Sequence, residues 1–159
     1  MEFGGASGYA FQAQIQRIDL NTEKVSALVP VSVVIPCFRC TQTLERAVVS
    51  VAGQTALPQE LILVDDCSGD ETRSLMIQLQ GKYKADWIRL VLLDVNTGAA
   101  SARNVGWSHA AGEFVAFLDA DDAWHPRKIE LQYHFMKSAP EVVVSGHGHT
   151  HAYAHARKR

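Results

Sequence analysis

Three carboxylates fall within four residues at Asp119-Ala120-Asp121-Asp122, directly after the apolar run Phe114-Val115-Ala116-Phe117-Leu118 and before Trp124, His125 and Pro126. Crowded carboxylates repel one another unless a cation sits among them, and hard oxygen ligands suit Mg2+ or Mn2+. A second acidic pair, Asp65-Asp66, ends a second apolar run, Leu61-Ile62-Leu63-Val64. Taken singly, each is equally a solvated acidic turn. Two other groups have spacing that bears chemistry. Cys37 and Cys40 stand at C-x-x-C spacing, a redox or zinc half-site, but no second Cys or His pair follows at zinc-finger distance. With Cys67 they are read as free thiols of a reducing compartment. His147, His149 and His151 alternate, so a strand would place all three on one face to chelate zinc, copper or nickel. A strand remnant or frayed tail is the preferred reading there.

The chain must supply elements that bring these groups together. Its 159 residues fit one domain with enough chain for a core, and 47% hydrophobic with 20% charged residues is ordinary globular composition. A net charge of -2 gives no electrostatic footprint for nucleic acid. No apolar run reaches the roughly 20 residues of a bilayer span, and no signal pattern opens the chain. A cytoplasmic protein is expected, with membrane association only through an acceptor or partner.

Residues 1–29 read as a weakly ordered or peripheral leader. Val31 to Ile35 is the first clear strand, β-branched and closed by Pro36. Leu44, Ala47, Val48 and Val51 recur at helical spacing and Gly53 ends that helix. Leu61 to Val64 is the second strand, and Asp70 is placed to cap the helix carrying Leu75, Met76 and Leu79. Trp87 to Leu93 is a third strand, followed by a small-residue helix from about Gly98 to Ala111. The run from Glu113 to Leu118 has the pattern of a central strand buried on both faces. A helix opening near Pro126 turns Ile129, Tyr133 and Met136 inward, and Val142-Val143-Val144 reads as a fifth strand. Such alternation predicts an α/β fold, a mostly parallel sheet with helices on both faces. Ligands of such sheets bind outside the carboxyl ends of the strands where strand order reverses. The turns at Pro36 to Arg39, Asp65 to Gly69 and Asp119 to Asp122 should therefore share one rim.

Four segments fall in register: Val33-Val34-Ile35-Pro36-Cys37-Phe38; Leu63-Val64-Asp65-Asp66-Cys67-Ser68; Asn96-Thr97-Gly98 with Ala102-Arg103-Asn104-Val105-Gly106; and Gly112-Glu113 through Leu118-Asp119-Ala120-Asp121-Asp122. Together they resemble the donor-binding half of a family 2 glycosyltransferase of the GT-A fold, over about Val31 to Pro140. The resemblance implies a Rossmann-like sheet, incomplete on its C-terminal side, spanning residues 30–145, with a His-rich basic tail at 146–159. It implies an inverting transfer of sugar from a nucleotide-diphospho-sugar, a UDP-sugar above all, to a glycan, lipid or other hydroxyl acceptor. Asp66 resembles the carboxylate that accepts a hydrogen bond from the base imide, with Pro36 and Phe38 flanking the base. Asp119-Ala120-Asp121 matches the DXD motif. Asp121 would hold Mn2+ or Mg2+, and Asp119 would face the ribose or the metal's waters. Arg103 could reach a phosphate, with a surface ion pair as the alternative, and Gly98 would let its helix approach closely. Asp65 is read as a turn cap, Asn104 as a brace for the rim, and Trp107, Trp124 and His125 as structural.

The chain also departs from that family. Arg39 stands where Asn is usual after the aromatic residue, and could add a phosphate or base contact or spoil the turn. Cys67 stands where Gly is usual and is expected to demand ordinary backbone angles. The family's acceptor-binding half carries the base that deprotonates the acceptor. No Asp or Glu lies beyond Glu141, so no catalytic residue is named and the chain reads as a truncated product or a fragment. Two other readings compete: a non-catalytic nucleotide-binding module, and a Mg2+ phosphotransfer or receiver domain, which would want a late Lys that Val142 to Ser145 lacks. No dinucleotide-binding glycine motif and no P-loop follow the first strand.

Overall fold

The computed structural model of the chain describes residues 27–83, 86–146 and 148. Strands and helices alternate: β1 (Ala27–Cys37), α1 (Leu44–Ala52), β2 (Ala56–Asp65), α2 (Thr72–Lys82), β3 (Ile88–Leu92), α3 (Ala99–Ser108), β4 (Phe114–Phe117) and α4 (Lys128–Ser138). All three strand pairings are parallel, in the order β3-β2-β1-β4. The two long strands are the centre, because their continuous runs of Val, Ile and Leu can be covered on both faces.

The faces are covered unequally. Alternate residues of β1 (Val31, Val33, Ile35) and β2 (Leu61, Leu63) pack with Leu44, Val48 and Val51 of α1, Met76 and Leu79 of α2 and Ile129 of α4. The opposite face of Val34, Ile62 and Val64 is met by α3 through Ala102 and Val105. Contact there is close. A Cβ added at Gly106 would lie 2.3 Å from Cγ1 of Val34, so only glycine lets α3 lie this near the sheet. Gly112 enters β4 under similar pressure, its absent Cβ only 2.6 Å from the Ser32 amide. Buried Glu60 fixes this entry, accepting hydrogen bonds from Ser32 Oγ at 2.6 Å and the Ala111 amide at 2.7 Å.

The structure departs from the sequence expectations in three places. β1 begins at Ala27, inside the stretch read as leader, because Ala27 to Val29 pair with Ala56 to Pro58. A bulge between Val29 and Ser32 absorbs Pro30, which has no N–H to give the ladder. β4 is not a central strand: among the described residues it pairs only with β1, and Phe117 is exposed. An alternating Phe/Val pattern reports the strand period but not how many neighbours the strand has. Val142 to Val144 form no strand among the described residues, and Val143 and Val144 stand in solvent. The rest of the leader and His147, His149 and His151 lie outside the described residues.

Candidate functional site

β1, β2 and β3 advance in one direction across the sheet, and the chain then returns through α3 to place β4 on the other side of β1. The reversal lies between β1 and β4, where loops from neighbouring strands part and leave a crevice at their carboxyl ends. A cleft of about 470 Å³ occurs there, lined among others by Pro36, Phe38, Arg39, Asp119, Ala120 and Asp121. Six residues expected to serve a nucleotide donor are thus on one wall or the other. Pro36 and Ala120 are buried, while Phe38 is 47% exposed and offers its ring.

The acidic turn closes on itself through the Asp122 amide, which donates to the Asp119 carbonyl at 3.0 Å. The Asp119 carboxylate is ion-paired with the Arg103 guanidinium, which reaches across from α3. Asp121 is exposed, and its backbone carbonyl accepts from the Arg46 guanidinium. Arg46 belongs to a polar stripe on α1 that composition and motifs did not reveal. At helical spacing after it come Ser50, whose Oγ accepts from the Trp124 amide at 3.1 Å, and buried Gln54. Gln54 donates to the His125 carbonyl at 2.9 Å and accepts from the Ile129 amide at 2.9 Å. The Thr55 amide adds a bond to the Pro126 carbonyl at 2.8 Å. α1 and the residues just after it therefore grip the backbone that follows the acidic turn. The S-x-x-x-Q spacing at the end of an amphipathic helix was the available signal, though its partners lie 71 to 75 residues away.

Asp66 has a different setting from the six. It is buried at the end of β2, where its amide donates to the Cys37 carbonyl at 2.9 Å. Its Oδ1 accepts from the Thr97 amide (2.8 Å) and hydroxyl (3.2 Å), and its Oδ2 from the Gly98 amide (2.8 Å). The Asn96 side chain donates to the Asp66 carbonyl. Asp66 thus clasps the loop that launches α3, and the single donor on Oδ2 leaves that oxygen able to accept one more. Gly98 is required for its backbone, at φ 84, and not for close packing, since a Cβ there would meet nothing within 4 Å. Close approach is the property of Gly106.

Cys67 corrects another expectation. It adopts φ 57, and Arg39 adopts φ 49, so both occupy the left-handed region that Gly or Asn would fill more easily. Neighbouring bonds hold them. The Arg39 amide donates to Ser68 Oγ at 3.1 Å, its Nε donates to the Ser68 carbonyl at 3.2 Å, and the Cys67 thiol contacts the Asp94 carbonyl. Ser68 is in turn held by Asp65, whose Oδ1 accepts from the Ser68 amide and hydroxyl, the turn-capping role expected of it. The N-cap of α2 is Glu71 and not Asp70, whose carboxylate, one residue earlier, accepts from the Thr72 amide at 2.9 Å. Asn104 is exposed, with no brace to the rim among the described residues. Trp107 stacks edge-on against Phe117, and Trp124 packs against the core beneath Lys128, whose ammonium lies 3.7 Å from the ring centroid. Burial lowers the Lys128 pKa to about 8.

Among the described residues no group of three His, Cys, Asp or Glu side chains could hold a metal by itself. The donor set still fits Mg2+ or Mn2+ as these ions bind diphosphates, through one or two carboxylates, waters and the phosphate oxygens. Asp121 and Asp119 are the carboxylates that could supply that share. No helix among the described residues is long and apolar enough to cross a membrane.

Residues 32–158 match the family model described as Glycosyl transferase family 2. The chain is 44% identical over 107 residues to TuaG of Bacillus subtilis (strain 168), whose name places it in teichuronic acid biosynthesis, covering 67% of this chain and 41% of that protein. It is 36% identical over 106 residues to the Escherichia coli UDP-Glc:alpha-D-GlcNAc-diphosphoundecaprenol beta-1,3-glucosyltransferase WfgD, covering 67% of this chain and 40% of that protein. The fold superposes on S. aureus TarS 1-349 in complex with UDP-GlcNAc with a TM-score of 0.61 and 28% identity, covering 69% of this chain and 32% of that one. The chain therefore spans about two fifths of the length of these curated relatives. By its matched residues and its parallel sheet, the chain belongs to glycosyl transferase family 2 and has the GT-A fold.

Proposed function

We propose that this chain forms the donor-binding part of an inverting glycosyltransferase that uses a uridine diphospho-sugar and Mn2+ or Mg2+. The observation that carries this reading is the single cleft that holds both the end of β1 and the acidic turn after β4 at the reversal of the sheet. Relatives whose names or bound ligands specify UDP-glucose and UDP-GlcNAc support a uridine donor.

Each residue then has a part. The Phe38 ring and Pro36 flank the base, and the free lone pair of Asp66 Oδ2 accepts a hydrogen bond from the imide N–H. Arg39 stands at the same edge of the cleft. Asp119 faces the ribose or metal-bound water, and the Ala120 backbone fits close beside it. Asp121 holds the cation. A divalent ion held there would supply charge neutralisation for the departing diphosphate. Arg103 leaves Asp119 for a phosphate oxygen as the diphosphate arrives, exchanging one charge-assisted bond for another. The sugar's anomeric carbon is then exposed to in-line attack by an acceptor hydroxyl.

A thermal-shift screen of nucleotides with and without Mn2+ tests this reading. UDP with Mn2+ should raise the melting temperature, and UDP or Mn2+ alone should raise it much less. If no uridine nucleotide stabilises the chain in the presence of Mn2+, the proposal is wrong.

A further inference from the structure

Cys37 and Cys40 have no part in the donor mechanism, yet the fold puts both beside the cleft. Cys37 ends β1 and is buried at 1% exposure, whereas Cys40 is half-buried and lines the cleft wall. Only the bend at Phe38-Arg39 separates them, and both pack against the same cluster of core residues on the α1 face. Residues three apart about a tight bend can come within the Cα separation that a disulfide requires. Cys40 is also held in place through its backbone. Its carbonyl accepts from the amides of Thr43 and Leu44, and its own amide donates to Thr72 Oγ1 at 3.0 Å.

We infer that Cys37 and Cys40 are a dithiol-disulfide exchange site on the wall of the donor cleft, with Cys40 as attacking thiol and Cys37 as resolving thiol. The partner is a low-molecular-weight disulfide, RSSR. The Cys40 thiolate attacks one sulfur of RSSR, an S–S bond to Cys40 forms, and the first RS⁻ leaves and takes a proton from water. Cys37 then loses its proton to solvent and attacks the Cys40 sulfur. The Cys37–Cys40 bond forms, and the second RS⁻ departs and is protonated. Two thiols are oxidised and one disulfide is reduced to two thiols, so atoms and electrons balance.

The thiols differ in the direction that this order needs. The Cys37 thiol beside it, with Thr72 and the Phe38 backbone, holds the Cys40 thiol below its ordinary pKa against the effect of burial. Cys37, whose thiol donates to the Ile35 carbonyl at 3.5 Å, is pushed well up by the adjacent Cys40, by burial and by the charge of Asp65. The exposed thiol Cys67 is separate, within the Asp65 to Ser68 turn against the Asp94 carbonyl, and has no cysteine partner among the described residues.

The adduct on Cys40 has a consequence that rests on the donor reading. A bulky R group there would project into the cleft, and the Cys37 attack would clear it. The test uses glutathione disulfide on the whole chain carrying Cys67→Ser, followed by mass mapping. The expected product has lost two hydrogens and carries no glutathione, and the tryptic segments 25–39 and 40–46 remain joined. In Cys37→Ser, one glutathione should stay on Cys40, and binding of UDP with Mn2+ should weaken at least about tenfold and return on reduction. A Cys67→Ser chain that stays fully reduced, or that keeps glutathione on Cys40 without resolution, would overturn the inference. Should Cys37→Ser fail to fold, the mapping of the Cys67→Ser chain decides alone. That mapping is independent of nucleotide binding, so an error in the donor reading would leave its result intact.

Discussion

Arg103 on α3 and Asp119 at the end of β4 form an ion pair across the rim of the cleft, joining two elements that the sheet itself does not link. Both side chains are partly exposed, so the pair contributes little to stability, on the order of 0–1 kcal/mol. In the proposed function its position serves the diphosphate. Arg103→Gln should therefore leave the melting temperature within a degree or two of the parent. It should weaken UDP binding in Mn2+ about tenfold, the worth of one charge-assisted hydrogen bond. Calorimetry that gives equal affinities for the two proteins would reduce Arg103 to a surface ion pair.

The left-handed backbone at Cys67 gives a stability prediction that is independent of ligand. Glycine is free of the Cβ clash at φ 57, whereas alanine keeps it and loses the same thiol contact. Cys67→Gly should be more stable than Cys67→Ala by about 1 kcal/mol, read from denaturant midpoints at equal slope. Equal midpoints would mean that the Asp65 to Ser68 turn does not hold this conformation.

Gln54 is the anchor of the segment after the acidic turn, and its loss should be felt at a distance. Gln54→Ala leaves the buried Ile129 amide without its acceptor and should cost about 2 kcal/mol. Amide exchange at Ile129 should speed up by more than the global loss of stability accounts for. Exchange that tracks global unfolding alone would mean the bond is not held locally.

Lys128 supplies a pH signature. Its folded pKa of about 8 lies below the ordinary 10.5 because burial disfavours the ammonium. Between these values the unfolded chain binds a proton that the folded chain does not, so stability rises as pH increases from about 8 towards 10.5. The Trp124 ring opposes the shift by attracting the cation, which keeps the gain modest. Lys128→Met should flatten this slope and raise stability near neutral pH. A slope unchanged by the substitution would assign the effect to other groups.

The sequence shows the helices and parallel strands because each is a local pattern: Val31 to Ile35 is β-branched, and Leu44, Ala47, Val48 and Val51 share a helical face. The rim of acids was legible for the same reason, since each acid ends an apolar run. Whatever depends on distant partners was hidden. The pattern of β4 does not say that it has one neighbour, and the bonds of Gln54 connect α1 to residues beyond Asp121. Asp66 shows this most clearly. A role beside the base was only an implication of the resemblance, and the clasp on Thr97 and Gly98 spans 31 and 32 residues, so only the fold shows it. The backbone angle at Cys67 was misjudged because residue type argues against it, and the Arg39-Ser68-Asp65 bonds outweigh that preference.

The central claim is that the acidic turn holds a cation that binds the donor's diphosphate. Titration calorimetry of UDP into this chain, with Mn2+ and with EDTA, measures it most directly, alongside Asp121→Ala. The account predicts that Mn2+ strengthens UDP binding at least about tenfold in the parent, and that Asp121→Ala removes this gain while keeping the weak metal-free affinity. Binding of equal strength with Mn2+ and with EDTA, or a full Mn2+ effect surviving in Asp121→Ala, would contradict it.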